Sequence, residues 1–376
     1  MEKAKVIHLG YYHSIDDTRI IHKECRSLYK TGRYALYYIT SNRNADVGQF
    51  NKDGINEEVI PLINKRFIRL FSYIQDLKKK INALNPQICH IHEFALYPII
   101  PFLRRRGIKI VLDFHENDLD VYKRKIRDRY GALLSSIFYS MMKKYEVKCV
   151  RNSDKIIVVD YTLKNRIESY GSEAYLIPNY PIVDTNNELK LSNLNEDTLC
   201  FAGGYSQLWS TENIMKVMEK NPNVTFRLAG IGDDEYINKL KKYPSWERTI
   251  FYGKVPFETV INEIYPQSSI GMALLQHDDS WKNGPLGNTK IFEFMMAGIP
   301  VVATNFDIWK DIIEKNNCGI CVDCNDINAI SDAINTILSD RNLARQMGNN
   351  GHKLILEKYN WEILAKTLIE IYSDLT

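Results

Sequence analysis

The chain has 376 residues, 45% of them hydrophobic and 25% charged, a composition typical of a globular protein large enough for two domains. No apolar run reaches the length of a membrane-spanning helix, which excludes an integral membrane protein built of such helices. The first residues enter a strand pattern without a signal peptide, and we therefore expect a cytoplasmic protein. No nucleic-acid-binding module is visible, and nucleic acid is not an expected partner.

Formal charge is distributed unevenly along the chain. Of its 49 basic and 46 acidic residues, 31 and 21 lie in Met1–Thr185, which leaves 18 and 25 for the remainder. Four basic clusters with apolar neighbours lie in this first half: KRFIRLF, LKKK, LRRR and YKRKIRDRY. We expect the basic half to contact the anionic surface of a membrane, the alternative being an ordinary solvated surface.

Strand and helix patterns alternate through the first half of the chain. The strand patterns are KVIHLG, YALYYIT, QICHIHE, IKIVLDFHE, KIIVVD and AYLIPNY. The helix patterns are TRIIHKECRSLYKTG, LYPIIPFLRRRG and ALLSSIFYSMMKKYEVKCVRN. Strands separated by helices predict a parallel sheet with helices on both faces.

A polar segment, VDTNNELKLSNLNEDT, predicts a linker, after which a second alternating series begins. Its strand patterns include LCFAGG, NVTFRLAGIG, RTIFYGKV, SIGMALLQ and GICVD. We therefore expect an α/β protein of two Rossmann-like, doubly wound domains, 1–184 and 185–359, facing a cleft at the C-terminal ends of their strands. A final helix, 360–376, is expected to cross back to the first domain, as is common in two-domain proteins of this kind.

Three of the seven cysteines follow the spacing Cys318-x-x-Cys321-x-x-Cys324, which resembles a metal or cluster signature. No fourth ligand lies nearby, and CGICVD has the pattern of a turn followed by a short strand. We therefore interpret these cysteines as structural and expect no metal site. The cysteine content as a whole fits a reducing compartment.

Glycine follows several predicted strands of the second half, at Gly203, Gly204, Gly230, Gly232 and Gly253. Glycine after a strand allows the backbone to approach a ligand closely and to adopt unusual dihedral angles. Its recurrence in successive units indicates a bulky, anionic ligand across the strand ends. The alternative is ordinary turn chemistry.

The segment GPLGNTKIFEFMMAGIPVVATN joins a glycine-rich loop to a short helix and a strand. Gly287 shapes the loop, and backbone amides near Asn288 and Thr289 favour a phosphate at the start of the helix. Lys290 adds a cation, and Glu293 shares its face and suits the diol of a ribose. The pattern indicates a nucleoside diphosphate site, and the alternative is a surface Lys–Glu pair that only supports the helix.

The stretch KIFEFMMAGIPVVATNF resembles the donor-binding signature of GT-B glycosyltransferases of the family 4 type, in which a lysine and a glutamate precede a stretch ending in Gly-x-Pro-Val. HSIDDTRIIHKECRSLYKTGRYALYYIT resembles the opening loop, helix and second strand of that family. ICHIHEFALYPIIPFLRRRGIKIVLDFHEN and LIPNYP resemble two central strands and the end of the first domain. The resemblance covers nearly the whole chain.

The resemblance implies a transferase that moves a sugar from a nucleotide diphosphate sugar, UDP favoured over GDP, to a hydroxyl of a lipid-linked or glycan acceptor. It implies retention of the anomeric configuration, with the departing diphosphate helping to take the proton of the attacking hydroxyl. The expected product is a bacterial surface polysaccharide, such as an O antigen or a capsule. No cofactor and no metal are expected, and the oligomeric state is left open.

By the same resemblance, Glu293 would bind the ribose hydroxyls, and Lys290 with the amides of Asn288 and Thr289 would hold the diphosphate. Gly253 and Lys254 would lie beside the base. The residues expected to bind the donor are Gly203, Gly204, Gly230, Gly232, Gly253, Lys254, Gly287, Asn288, Thr289, Lys290 and Glu293.

In the first domain, the resemblance places His115 near the donor sugar and makes it, with Lys290, a candidate catalytic residue. The acceptor side would be lined by residues that follow the strands: His13, Asp17, Arg19 and Glu116. Three further histidines are interpreted as structural: His8, His90 and His92.

Two features depart from the family pattern. The first glutamate of a common Glu-x7-Glu pair falls on Pro285, and the positions of two diphosphate-binding cations fall on Gly204 and Ser210. The missing cations could be replaced by one of three lysines: Lys254, Lys282 or Lys290. Two other functions stay open, namely a sugar-nucleotide 2-epimerase of similar architecture and a non-catalytic subunit that binds nucleotide sugars.

Overall fold

The computed structural model describes residues 3–42, 48–65, 68–183, 192, 194, 196–278 and 284–376. The chain forms two compact units: unit 1, which comprises Met1–Asn179 and Trp361–Thr376, and unit 2, which comprises Tyr180–Asn360. Each unit is an α/β fold around one sheet, which confirms the expected pair of doubly wound domains. Within the described ranges, no helix is long and apolar enough to cross a membrane.

Unit 1 is built on an eight-stranded sheet. Its strands are β1 (Ala4–Leu9), β2 (Tyr34–Asn42), β3 (Gly48–Lys52), β4 (Ile55–Pro61), β5 (Ile88–Ile91), β6 (Lys109–Phe114), β7 (Lys155–Val158) and β8 (Tyr175–Leu176). They pair in the order β3-β4-β2-β1-β5-β6-β7-β8, and the β3–β4 pair is antiparallel whereas the others are parallel. The central strands are buried on both faces, because helices cover both sides of the sheet.

The helices of unit 1 are Thr18–Cys25, Arg26–Lys30, Arg69–Leu84, Phe94–Ile99, Ile100–Arg105, Asp118–Tyr130, Ala132–Arg151, Tyr161–Glu168 and Trp361–Ser373. The last of these confirms the expected return of the C-terminal helix to the first domain. Its residues Trp361, Leu368 and Tyr372 are buried in one core layer together with Val6 and Ile20. The other core layer lies on the opposite side of the sheet and includes Leu77, Leu96 and Leu163.

The β3–β4 hairpin and two helices of unit 1, Arg69–Leu84 and Tyr161–Glu168, were not anticipated from the sequence. Nor was helix Asp118–Tyr130. This helix contains the basic cluster YKRKIRDRY, and among its residues Leu119 alone is buried, so it lacks the apolar periodicity that predicts a helix. The predicted helix LYPIIPFLRRRG is divided into Phe94–Ile99 and Ile100–Arg105. Pro98 explains the tighter first part, because proline lacks the backbone N–H of a regular α-helix.

Unit 2 is built on a six-stranded, fully parallel sheet. Its strands are β9 (Thr198–Ala202), β10 (Thr225–Ala229), β11 (Thr249–Gly253), β12 (Ile270–Ala273), β13 (Val301–Thr304) and β14 (Gly319–Val322), in the order β11-β10-β9-β12-β13-β14. Its helical segments are Gln207–Trp209, Thr211–Lys220, Asp234–Leu240, Pro244–Arg248, Phe257–Thr259, Val260–Ile264, Tyr265–Gln267, Lys290–Met296, Asp307–Ile313, Ile327–Ser339 and Arg341–Glu357.

The boundary between the units differs slightly from the expected one. The predicted boundary between Asp184 and Thr185 falls outside the described residues, and unit 1 ends earlier, at Asn179. Tyr180 belongs to unit 2 because its ring packs against those of Phe292 and Tyr359, with centroids 4.7 and 5.3 Å apart.

The three cysteines of the C-x-x-C-x-x-C pattern lie around β14. Cys318 and Cys324 are buried, and Cys321 is half-buried. Burial raises the pKa of the Cys318 and Cys321 thiols to about 12, which disfavours the thiolate that metal binding requires.

Candidate active site

The helix Lys290–Met296 fixes the direction of the two candidate donor-binding side chains in unit 2. All of its other residues are buried in the core: Ile291, Phe292, Phe294, Met295 and Met296. Lys290 and Glu293 are therefore left on the opposite side, where both line a cavity of about 250 Å³. The predicted pairing of a cation and a carboxylate on one face of a helix is thus present in the structure.

The ammonium of Lys290 lies in an aromatic and glycine environment. Its Nζ atom is 4.4 Å from the ring centroid of Trp209 and 5.2 Å from that of Phe201. A Cβ atom on Gly203 would come within 2.6 Å of the same Nζ, so the glycine makes room for the cation. Burial lowers the pKa of Lys290, although the charge of Glu293 opposes this. Among the described residues Lys290 forms no ion pair, and this half-buried cation is suited to an anionic ligand.

The carboxylate of Glu293 is held by a buried phenol. The Tyr265 hydroxyl donates a hydrogen bond of 3.1 Å to Glu293 Oε2. Burial, reinforced by the nearby charge of Glu293, raises the pKa of Tyr265, so the phenol stays protonated and remains a donor. One carboxylate oxygen is thereby oriented, and the other can accept hydrogen bonds from a ligand.

Two of the six glycines predicted to bind the donor, Gly203 and Gly230, form the floor of the cavity. Gly203 and Gly230 follow β9 and β10 with φ values of +135° and +126°. A Cβ on Gly230 would lie 1.8 Å from the Gly203 carbonyl oxygen, so these strand ends approach more closely than any side chain allows. Gly232 is required for another reason, because a Cβ there would meet the ring of Tyr205. Gly253 has a φ of +62°, and a Cβ added there would meet nothing within 4 Å.

The remaining wall of the cavity was not anticipated from the sequence. The residues that line the whole cavity are Ala202, Gly203, Ala229, Gly230, Val255, Phe257, Val260, Thr289, Lys290 and Glu293. The apolar members Val255, Phe257 and Val260 follow β11, and the glycine that ends this strand is the sequence signal that points to them. An apolar wall opposite a charged pair is typical of small-molecule sites.

Other predicted donor residues lie outside this lining. Lys254 is exposed, Gly204, Gly232, Gly253, Gly287 and Asn288 do not line the cavity, and Lys282 lies outside the described residues. Asn288 Oδ1 instead accepts a 3.1 Å hydrogen bond from the Lys290 amide. Ser210, one of the two positions where the resemblance led us to expect a cation, accepts a 2.8 Å hydrogen bond from Gln276.

In unit 1, the loop after β1 carries two of the predicted acceptor-side residues. Asp17 caps helix Thr18–Cys25 by accepting hydrogen bonds of 2.9 Å from the amides of Arg19 and Ile20. Its other oxygen lies 3.0 Å from His13 Nδ1. Burial opposes protonation of His13, but the Asp17 hydrogen bond and the charge of Glu93 raise its pKa. His13 is therefore a polarised, partly exposed donor.

Arg19, also predicted to line the acceptor side, is placed in the core. Its guanidinium binds Asp113 through two parallel hydrogen bonds of 3.1 Å and donates a third, of 3.0 Å, to the Ile177 carbonyl. Only 4% of the residue is exposed. Burial opposes ionisation of Asp113, but Arg19 and His115 hold its pKa well below the usual range. The bidentate pair locks the helix after the first loop to β6.

His115, the candidate catalytic residue of unit 1, follows β6 directly. Its Nε2 atom lies 2.8 Å from Asp113 Oδ2 and 3.1 Å from His92 Nδ1. Its ring packs edge-on against that of His13, with centroids 4.9 Å apart. The structure thus brings His13, Asp17 and His115 together, whereas the neighbouring Glu116 is exposed and takes no part in this cluster.

The three histidines interpreted as structural form one buried group. His8 Nδ1 lies 3.0 Å from His92 Nε2, and His90 Nδ1 lies 2.7 Å from the Tyr372 hydroxyl. Burial lowers the pKa of all three, that of His92 to about 3. The sequence shows only part of this group: His90 lies in β5 and His92 directly follows it, whereas the approach of His8 to His90 depends on the register of β1 and β5.

Two family models match the chain in sequence. The one described as Glycosyltransferase Family 4 matches residues 18–181, and the one described as Glycosyl transferases group 1 matches residues 190–354. An uncharacterized glycosyltransferase of Methanocaldococcus jannaschii is 21% identical over 330 residues, 74% of this chain and 81% of the relative. The phosphatidyl-myo-inositol mannosyltransferase of Mycobacterium leprae is 23% identical over 302 residues, 76% and 72% of the two chains.

Solved structures show the same fold at lower identity. Sucrose-phosphate synthase from Thermosynechococcus elongatus matches with a TM-score of 0.77 at 17% identity, over 99% of both chains. HepE from Anabaena, in complex with UDP-glucose, matches with a TM-score of 0.71 at 12% identity, over 99% of this chain and 100% of the other. Together with the two family matches, these likenesses establish that the chain belongs to the family 4 glycosyltransferases with the GT-B fold.

Proposed function

We propose that this glycosyltransferase moves a sugar from a nucleotide diphosphate sugar to a hydroxyl of a lipid-linked or glycan acceptor, in the synthesis of a bacterial surface polysaccharide. The observation that carries the proposal is the pairing of Lys290 with Glu293 on one wall of the unit 2 cavity. The cation suits a diphosphate, and the carboxylate, oriented by Tyr265, suits the diol of a ribose.

In this proposal, unit 2 stabilises the leaving group of the reaction, the nucleoside diphosphate. Negative charge grows on the β-phosphate as the glycosidic bond breaks, and a preorganised ammonium such as that of Lys290 stabilises this charge. Because Gly203 and Gly230 carry no side chains, the strand ends leave space for the diphosphate beside that ammonium. The proposal includes retention of configuration, with the diphosphate helping to take the acceptor proton, and needs no metal ion at the donor. His115 keeps its proposed role on the transferred sugar.

UDP is favoured as the donor nucleotide. HepE from Anabaena in complex with UDP-glucose, and an E. coli trehalose-6-phosphate protein bound with UDP-2-fluoro glucose, match 99% of this chain with TM-scores of 0.71 and 0.70. A GDP-mannose-dependent mannosyltransferase of Mycobacterium tuberculosis is 31% identical, but over only 21% of this chain. The surface polysaccharide as product is supported by a capsular polysaccharide biosynthesis glycosyltransferase of Staphylococcus aureus, 29% identical over 87 residues.

A membrane-bound acceptor is supported by a pair of helices in unit 1, Asp118–Tyr130 and Ala132–Arg151. Apolar side chains that follow helical spacing are exposed on the second helix: Leu133, Leu134, Ile137 and Met141, of which Leu133 is 76% exposed. The first helix carries the basic cluster and packs on the second, where Ser135 donates a 2.7 Å hydrogen bond to the Lys123 carbonyl. Exposed apolar side chains beside basic ones are typical of helices that bind an anionic bilayer surface.

Vesicle sedimentation tests this surface. Wild-type protein should sediment with vesicles that contain anionic lipid, and the triple variant Lys123→Glu, Arg124→Glu, Lys125→Glu should sediment less, with a difference that shrinks as salt rises. The matched control is Lys241→Glu with Lys242→Glu, which changes exposed charges of unit 2. Failure of the wild type to sediment at low salt would show that the basic clusters are only solvated faces.

Incubation with labelled nucleotide sugars tests the function itself. A transferase should hydrolyse its donor slowly without an acceptor and release the nucleoside diphosphate. An isomerised sugar would instead indicate the 2-epimerase, and an unchanged donor would indicate the binding subunit. A prior screen of the melting temperature against UDP, GDP, ADP and CMP selects the nucleotide, because a ligand that binds only the folded protein raises that temperature.

A further inference from the structure

Four buried side chains of unit 1, His8, Glu24, His90 and His92, converge on one point. Each offers one ligand atom, and these atoms all lie within 4.8 Å of one another. Glu24 Oε2 is 3.8 Å from His8 Nδ1, 3.8 Å from His90 Nδ1 and 3.9 Å from His92 Nε2. One carboxylate oxygen therefore faces three imidazole nitrogens at nearly equal distances.

Glu24 lacks the hydrogen bonds that a buried carboxylate needs. Within the described ranges, neither of its oxygens has a hydrogen-bond partner, although the residue is fully buried. Arg19 Nε lies 3.0 Å from Glu24 Oε1, but its single N–H is donated to Asp113. A buried carboxylate without such partners is costly, and either a proton or a bound cation removes the cost. Burial and the charge of Asp113 raise the pKa of Glu24 well above its usual range, against the opposing charge of Arg19, so a metal ion would bind here by displacing that proton.

The distances match those between the ligands of a tetrahedral metal ion. Zinc binds imidazole nitrogen and carboxylate oxygen at about 2.0–2.2 Å, which places neighbouring ligand atoms roughly 3.4 Å apart. Four of the six distances between the ligand atoms run from 3.0 Å, between His8 Nδ1 and His92 Nε2, to 3.9 Å, and all six are within 4.8 Å. Small side-chain shifts would bring the four atoms into that geometry.

The second nitrogen of each imidazole lies within 4 Å of an oxygen acceptor, although His90 Nε2 has no hydrogen-bond partner among the described residues; acceptors in this position orient metal-binding histidines. His8 Nε2 lies 3.3 Å from the Tyr372 hydroxyl, and His92 Nδ1 and His90 Nε2 lie 3.6 and 3.9 Å from Asp113 Oδ2. The Tyr372 hydroxyl also lies 2.7 Å from His90 Nδ1, so metal binding by that nitrogen would leave the hydroxyl to accept from His8.

We propose that unit 1 binds one divalent transition-metal ion of the zinc class through His8, Glu24, His90 and His92. Three nitrogens and one carboxylate oxygen suit zinc and its neighbours better than magnesium or calcium. Four protein ligands without exposure to solvent make the site a closed, structural one. It joins β1, β5 and helix Thr18–Cys25, and it lies next to the Asp113–His115 pair. The donor cavity belongs to unit 2, so this ion departs from the metal-free expectation at a site other than that cavity.

Metal content of the purified full-length chain, prepared without a histidine tag, is the direct test. We expect about one zinc ion per chain, lost on treatment with a strong chelator and regained with zinc. Removal should lower the melting temperature and readdition restore it, whereas magnesium should have no effect. Cobalt should replace zinc and give the visible absorption of a tetrahedral site.

Two variants assign the site. Glu24→Gln, which keeps the shape of the side chain, and His90→Ala should each lose most of the bound zinc. His22→Gln, on the same helix as Glu24 but partly exposed, should retain it. A wild-type chain that holds no zinc and is not stabilised by zinc or cobalt would overturn the proposal and leave a metal-free network of hydrogen-bonded histidines. Unchanged zinc in both variants would overturn it too, and would direct attention to Cys318, Cys321 and Cys324.

Discussion

The C-terminal strand edges of the two units are built in opposite ways. In unit 1 this edge is filled by the protein's own polar side chains, with Arg19 paired to Asp113 and histidines packed against one another. In unit 2 the same edge is free of side chains at Gly203 and Gly230. The cation there, Lys290, faces aromatic rings and lines a cavity. One fold can thus place a preorganised polar cluster at the strand ends or leave room there for the charges of a ligand.

The most direct test of this difference is to add a side chain at the glycine-lined strand edge of unit 2. Gly230→Ala would put a Cβ 1.8 Å from the Gly203 carbonyl oxygen at a φ of +126°, so we expect a loss of about 3 kcal/mol or more in the free energy of unfolding. Gly253→Ala is the control, since its φ is +62° but nothing lies within 4 Å, and about 1 kcal/mol is expected. Urea unfolding measures both, and equal losses would mean that the close approach of β9 and β10 is not essential.

Removal of the Lys290 ammonium should lower the turnover rate more than the affinity for the nucleotide. Lys290→Ala should lower the turnover rate roughly 100-fold, because the charge it stabilises grows as the glycosidic bond breaks. Lys290→Arg should rescue only partly, since a planar guanidinium does not occupy the position of an ammonium. Lys254→Ala, at an exposed position outside the cavity, should be nearly as active as wild type. A fully active Lys290→Ala enzyme would show that Lys290 does not bind the diphosphate, and would leave Lys254 or Lys282 as the candidate cation.

Removal of the oriented carboxylate should affect binding. Glu293→Ala should weaken nucleotide affinity by about 2 kcal/mol, the loss of charge-assisted hydrogen bonds to a diol. Tyr265→Phe should have a smaller effect in the same direction, because it only frees the carboxylate from its 3.1 Å hydrogen bond. Calorimetry with the selected nucleotide gives both values, with Glu263→Ala as the exposed control. Unchanged affinity in a folded Glu293→Ala protein would rule out ribose binding by this residue.

The smallest expected effect concerns the contribution of Asp118, which follows β6 in unit 1, to the stability of the protein. Burial, with Glu116, Glu93 and Glu146 nearby, raises the pKa of Asp118 from 3.8 to about 6, against the opposing charge of Arg166. The folded state then binds the proton more tightly than the unfolded state, so stability falls as pH rises from about 4 to 6.

Asp118→Asn removes this titration and should stabilise the protein by about 1 kcal/mol at pH 8, with no gain below pH 4. Melting curves across this pH range provide the measurement. A gain that is the same at pH 4 and pH 8 would show that Asp118 does not titrate as described.

The sequence predicts unit 2 better than unit 1, for a physical reason. Lys290 and Glu293 are three residues apart on one helix, so local spacing alone brings them together. The histidine group depends on the register of β1 and β5, strands about 80 residues apart in the chain, and on Tyr372 near its end. The burial of Arg19 likewise depends on a partner in β6. Contacts between distant segments are set by packing, which no single stretch reveals.

The position of helix Trp361–Ser373 has a consequence for the order of folding. Trp361, Leu368 and Tyr372 complete a core layer of unit 1 that begins with Val6. On the ribosome, unit 2 is therefore synthesised in full before the last part of unit 1 exists. Unit 1 therefore cannot complete its core during synthesis before unit 2 has left the ribosome, so the general rule that the N-terminal domain finishes folding first does not apply to this chain.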